Sequence, residues 1–280
     1  MSIKTFTYGK IPIELWEYSL LFVILLIVLF VSGYVKRRNL NQFPFYRYFL
    51  WGLWAKIIGG LTFGAIYIFY YEQGDTTSYY ECGLAYCNLF TSNFSDFLHA
   101  FIGNGSAEIK SIFTQETGSP MWYMFNDDKT RMVIKLLVPL MLLGGKSYFI
   151  TTVLVSIFTY GGLWRLYKMF ATYFPAHAKS LAWGILFMPS VIFWGSGILK
   201  DSFTLAATCY FISATNDLIT RRNKNLFRSM LLLVLSGIVI VNIKPYILII
   251  LLPGTLVWFF YTQIKKIKNN PVNKAPIKKV

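Results

Sequence analysis

The chain has 280 residues, of which 55% are hydrophobic and 19% aromatic but only 14% charged, against roughly a quarter charged in ordinary soluble domains. With a mean hydropathy of +0.50, that shortfall excludes an ordinary soluble enzyme and a disordered chain alike. The net charge of +15 points to nucleic acid or to a membrane, and the bases flank long apolar runs, which selects an integral membrane protein.

A bilayer core about 30 Å thick needs roughly 20 mainly apolar helical residues to cross it, because only a helix satisfies its own backbone there. Seven runs qualify in chain order, at about 15–35, 49–71, 147–167, 181–197, 202–220, 229–243 and 246–264. The first is too long and uniformly apolar for a signal peptide, and Lys36, Arg37 and Arg38 follow it as they follow a retained anchor. The stretch from Met132 to Gly144 is too short to span and contains Lys135 and Pro139, so it is expected as an interfacial or re-entrant helix. The fold class is therefore an all-α polytopic transmembrane helical bundle of about seven spans, with one extracytoplasmic loop containing amphipathic helices. Its expected divisions are an anchor helix and loop (1–48), a span (49–71), the extracytoplasmic loop (72–146), a five-span bundle (147–264) and a basic tail (265–280).

Loop charges set the orientation. Lys36, Arg37, Arg38 and Arg47, then Arg165, Lys168 and Lys179, then Arg221, Arg222, Lys224 and Arg228 fall in alternate loops, joined by tail bases such as Lys274, Lys278 and Lys279. The 72–131 loop carries Glu72, Asp75, Glu81, Asp96, Glu108, Glu116, Asp127 and Asp128 against Lys110, Lys129 and Arg131. The positive-inside rule puts the N-terminus and the acidic loop outside and the C-terminus in the cytoplasm of a bacterial inner membrane. Scattered juxtamembrane bases are explained by topology and by membrane lipids as partners, so no nucleic-acid partner is expected.

The outer loop opens Gly74-Asp75-Thr76-Thr77-Ser78-Tyr79-Tyr80-Glu81. Gly74 permits a sharp turn, and Asp75 reads either as the N-cap of the following helix or as a base at the rim of a membrane cavity. From Tyr79, apolar residues recur at near-helical spacing, as in a helix lying on the bilayer surface with its aromatic face down. Asp127-Asp128 reads as a helix-start pair or as a divalent-cation holder; no metal site or cofactor is assigned. Cys82 and Cys87, five apart on a helix, point in diverging directions and are expected not to bridge.

A second informative stretch runs Met188-Pro189-Ser190-Val191-Ile192-Phe193-Trp194-Gly195-Ser196-Gly197-Ile198-Leu199-Lys200-Asp201-Ser202. Pro189 interrupts the fourth span, Gly195 and Gly197 allow close approach, and Ser196 offers a hydroxyl. Lys200 reads as a snorkelling residue with Asp201 capping the fifth span, or as a functional rim charge. Lys244, in Asn242-Ile243-Lys244-Pro245-Tyr246, recurs at the same depth. Two lysines on the side opposed by the positive-inside rule call for an anion, and a lipid-linked phosphate fits.

An outer Gly74-Asp75-Thr76-x-x-Tyr79 after a membrane helix, followed by Pro189-Ser190-x-x-Phe193-Trp194-x-Ser196-Gly197-x-x-Lys200-Asp201-Ser202 and Lys244-Pro245-Tyr246, resembles the polytopic GT-C glycosyltransferase superfamily over about residues 49–262. It is most similar to family-39-like and bacterial polysaccharide-assembly members. The resemblance implies a sugar donor linked to polyprenyl phosphate and transfer on the outer face. It implies Asp75, or less well Glu81, as the acidic catalytic residue, and Lys200 and Lys244 as holders of the carrier phosphate. Tyr79, Ser196 and Asp201 complete the expected substrate-binding set. The chain departs from the family in its extra first helix and in ending after the seventh span, as expected of a short relative, a fragment or a subunit that needs a membrane-protein partner. The competing expectations are a transporter or assembly subunit for lipid-linked glycans, or an oligosaccharide polymerase. A transporter needs polar groups near mid-membrane, and only Ser156, Thr159, Ser213 and Asn242 stand out there.

Overall fold

The computed structural model describes residue 11, residues 13–220 and residues 225–268. Arg221, Arg222, Lys224 and the tail bases Lys274, Lys278 and Lys279 lie outside the described residues. All regular structure among the described residues is helical. It runs α1 (Leu15–Leu40), α2 (Phe49–Phe69), α3 (Asp75–Ser92), α4 (Phe94–Ile102), α5 (Ala107–Ile112) and α6 (Asp128–Leu143). Then follow α7 (Tyr148–Tyr173), α8 (Ala178–Ile185), α9 (Pro189–Phe193), α10 (Lys200–Thr220), α11 (Leu226–Ile243) and α12 (Pro245–Lys268).

Five helices are long and apolar enough to cross a membrane: α1, α2 with its preceding 3-10 turn, α7, α11 and α12. This is compatible with a multi-pass membrane protein. Burial sorts them radially. The most apolar window of α7 is 67% buried, whereas those of α1 and α12 are 6% and 0% buried. Phe22, Ile27 and Phe30 on α1, and Ile250, Val257 and Phe260 on α12, stand exposed. Water would penalise so continuous an apolar surface, and lipid would not.

The bundle has two ends. At the basic end lie the bases Arg37, Arg38, Arg47, Arg165, Lys168, Lys179 and Arg228, with the aromatic pairings of Tyr46 and Phe49 against Trp164. At the loop end, the Ser147 hydroxyl donates to Glu17 of α1 at 2.5 Å, and Thr76 of α3 and Tyr148 of α7 share a 2.6 Å hydrogen bond. α10 joins the ends. Its first residue, Lys200, pairs with Asp127 at 2.9 Å, and its last turns place Asp217 2.7 Å from Arg165.

Three expectations change in physical detail. Residues 181–197 do not form one continuous helix. α8 stops at Ile185, Pro189 starts the one-turn α9, and a turn through Gly197 leads to Lys200. Proline lacks the N–H that would continue α8, and it suits the first position of a new helix. This broken segment packs on α2, where the absence of side chains at Gly59 and Gly60 admits the backbone of Ile192 and Ser196. Second, α3 does not lie open on a surface. α6 packs along it, and Tyr79, Tyr80, Cys82, Tyr86, Cys87 and Leu89 are all buried. Third, the 132–144 stretch belongs to the 16-residue α6, whose Val133, Leu137 and Met141 are completely buried in the same core.

Candidate functional site at the loop end

The site starts where α2 gives way to α3. The Thr77 hydroxyl accepts from the Gly74 N–H at 3.0 Å and donates to the Gly74 carbonyl at 2.8 Å, so threonine closes the start of α3. Asp75 is therefore the first helical residue and not the cap. Its carboxylate is exposed, with no hydrogen bond or ion pair among the described residues.

One turn on, Tyr79 is buried, and its hydroxyl lies in the field of both Asp75 and Asp127 and within hydrogen-bonding reach of Thr130. Burial first, and then the nearby carboxylates, push the phenol well above its ordinary range. Lys200 Nζ stands 5.9 Å from the centre of the Tyr79 ring and 2.9 Å from Asp127 Oδ2. Asp127 caps α6 by accepting from the Lys129 N–H at 3.1 Å, and it also accepts from the Thr130 hydroxyl. Burial alone would raise its carboxyl, but the Thr130 hydrogen bond and Lys200 outweigh it and hold the group below the ordinary carboxylate range. Tyr123, hydrogen-bonded to Ser78, closes the other side within reach of Asp75 and Glu81. Asp75, Asp127 and Lys200 thus all lie close to Tyr79.

Lys244 meets the first turn of α10 at Asp201, the residue after Lys200. Lys244 and Asp201 form an ion pair, and although burial would lower the amine, Asp201 outweighs it and raises Lys244 above its ordinary value. The two lysines thus each have a countercharge: Asp127 for Lys200 and Asp201 for Lys244. Asp201 spends its carboxylate on this pair and not on a side-chain cap of α10. Beside it, a cavity of about 310 Å³ runs between apolar walls that include Trp194, Leu205 and Ile247.

Two expected residues lie apart. Glu81 is buried within α3. Ser196 is fully buried, its carbonyl accepting from the Ser156 hydroxyl at 2.9 Å and its own hydroxyl 3.4 Å from Lys56 Nζ. Lys56 is the residue sequence reasoning missed. It is 2% exposed, and its ammonium donates to the Gly195 carbonyl. The signal was present, since Lys56 is the one charged residue in the 49–71 run, and charge inside a span tends to be functional. The Asp127-Asp128 pair does not converge on a cation site: Asp128 pairs with Arg131, and no group of three or more metal-ligating side chains occurs among the described residues. Cys82 and Cys87 are both free buried thiols.

No family model, no curated protein and no solved structure matches this chain.

Proposed function

We propose that this protein is a membrane glycosyltransferase of the GT-C type, transferring a sugar from a polyprenyl-phosphate donor at the extracytoplasmic face. In this reading α1, α2, α7, the broken α8–α9 segment, α10, α11 and α12 make seven passages, the loop end faces outward and the C-terminus is cytoplasmic. The observation that carries the reading is the 2.9 Å pair between Asp127 and Lys200. It draws the loop that starts at Asp75 and the segment that ends at Lys200 around Tyr79.

The chemistry follows from the placement. Asp75, unencumbered by capping, takes the proton of the acceptor hydroxyl as that oxygen attacks the anomeric carbon. The bond from that carbon to the carrier phosphate breaks, and Lys200 and Lys244 exchange their carboxylate partners for the departing phosphate. The apolar-walled cavity beside Asp201 suits the first prenyl units of a carrier whose phosphate rests at that pair.

The transporter alternative needs polar groups left to line a path. Ser156, Thr159, Ser213 and Asn242 instead donate to the carbonyls of Ser196, Val155, Tyr210 and Ile238 at 2.7–3.1 Å. Such satisfied groups support an enzyme over a conduit.

Purified chain reconstituted with a polyprenyl-phosphate sugar and membrane acceptors tests the reading. Asp75→Asn is expected to abolish transfer while leaving expression and insertion intact. Full activity in that variant refutes the assignment of Asp75.

A further inference from the structure

At the basic end, away from Asp75 at the loop end, a cavity of about 560 Å³ opens between the η1 turn at Pro44–Tyr48, α7, α10 and the start of α11. Among the described residues its charged lining consists of Arg165, Lys168 and Arg228 against a single carboxylate, Asp217. That carboxylate binds Arg165 through one terminal nitrogen, Nη2, at 2.7 Å. The rest of the guanidinium fork remains for another acceptor. Arg228 arrives from a different helix, yet it and Arg165 both lie within electrostatic reach of the Tyr210 hydroxyl, which places the two cations on one locus. Lys168 is exposed at the mouth, its Nζ 5.7 Å from the centre of the Phe43 ring. Trp164, 8% exposed, forms an apolar wall, while Asn216, 2% exposed, adds a polar group held by Tyr173 at 2.7 Å.

We infer that this cavity is a phosphate-anion site, filled by the headgroup of an acidic membrane lipid or by a soluble phosphate ester. Three cations facing one carboxylate leave a net positive pocket. An aromatic wall beside it accepts the glycerol and upper acyl portion of a lipid or the organic part of an ester. Basic pockets between helices at a membrane edge bind such headgroups by the same chemistry. The site is independent of the transferase reading, because it shares no residue with the cluster around Tyr79.

The test uses the full chain in neutral detergent, titrated separately with short-chain phosphatidylglycerol and with inorganic phosphate. The double variant Lys168→Gln/Arg228→Gln removes two exposed cations and leaves the Arg165–Asp217 pair intact. It is expected to weaken phosphatidylglycerol binding roughly 30-fold, the loss for two membrane-edge cations. Arg37→Gln/Arg38→Gln removes equal charge from the same end outside the cavity and is expected to leave binding unchanged. Phosphatidylglycerol binding far tighter than phosphate identifies a lipid headgroup, and equal binding of the two identifies a soluble ester. Equal loss in both double variants, or no binding of either probe, overturns the site.

Discussion

Gly59→Ala tests how the broken α8–α9 segment is held. A Cβ at Gly59 would strike the Ile192 carbonyl oxygen and sit 2.5 Å from Ile192 Cγ2 and 2.8 Å from its carbonyl carbon. Two of those three atoms are backbone, so no rotamer change relieves the contact, and α9 must move off α2. Overpacking of this kind costs about 1–3 kcal/mol, offset by about 0.5–1 kcal/mol from alanine's better helix propensity over glycine. The net is a loss of up to about 2.5 kcal/mol, or a melting temperature lower by up to roughly 7 °C at about 3 °C per kcal/mol, and it lies about 1–3 kcal/mol below a variant that has the propensity gain alone. Gly184→Ala is the internal control: a Cβ there meets nothing within 4 Å, so only the propensity gain remains, and its melting temperature is expected at or slightly above wild type. Thermal unfolding of both variants in one detergent, followed by tryptophan fluorescence, reads the difference. Adding Ile192→Ala to Gly59→Ala removes only the side-chain contact and should restore part of the loss. If Gly59→Ala melts with Gly184→Ala, the close packing of Ile192 on α2 is wrong.

Three further outcomes are expected. Lys56→Met keeps length and removes a buried amine; relief of its desolvation outweighs the roughly 1–3 kcal/mol of leaving the Gly195 carbonyl unpaired, so it should melt at or above wild type while Lys56→Ala, which leaves a cavity, melts lower. Equal losses in both would contradict this balance. Burial pushes the Cys82 and Cys87 thiols up to about 12, so near pH 8 only about one molecule in ten thousand carries each thiolate. Intact-mass measurement should find both unlabelled by maleimide until the chain is unfolded; rapid labelling of the folded protein would refute their burial. Finally, Asp127 is held below its unfolded value of 3.8, so its pairing contributes fully above that value and is lost as pH falls through the lower folded one. The gap in stability between wild type and Asp127→Asn, about 0.2–1 kcal/mol for a half-exposed pair, should be constant from about pH 5 to 8 and shrink in stronger acid; a gap widening toward acid would reverse the sign of the argument.

Much of the architecture was legible because it rests on local composition. The runs behind α1, α2, α7, α11 and α12 are apolar over a span's length, and Gly74 marks the turn that precedes α3. What escaped depends on contacts between distant residues. Hydropathy averages over 181–197 and cannot show that Pro189 divides it, nor that glycines on α2 receive the pieces. The periodicity of α3 shows one apolar face, but its burial comes from α6, some fifty residues further on. The lysines looked unpaired because Asp127 is 73 residues from Lys200 and Asp201 is 43 from Lys244. Asp75 resisted a decision for a local reason: Thr77 and Asp75 both suit a helix start, and only the geometry assigns the cap to Thr77.

That assignment bears on the chemistry. A carboxylate committed to donors at a helix start is held in place and stabilised as an anion, as Asp127 is by the Lys129 N–H and the Thr130 hydroxyl. Such a group is a poor base and a good anchor. Asp75 makes no such commitment: it is exposed and close to Tyr79. In the proposed transferase the two acids therefore suit different work, Asp127 fixing the position of Lys200 and Asp75 facing the acceptor hydroxyl. Asp127 cannot move with Lys200 without uncapping α6, so under that proposal carrier binding proceeds by an exchange of partners at Lys200 that leaves the helix frame unchanged.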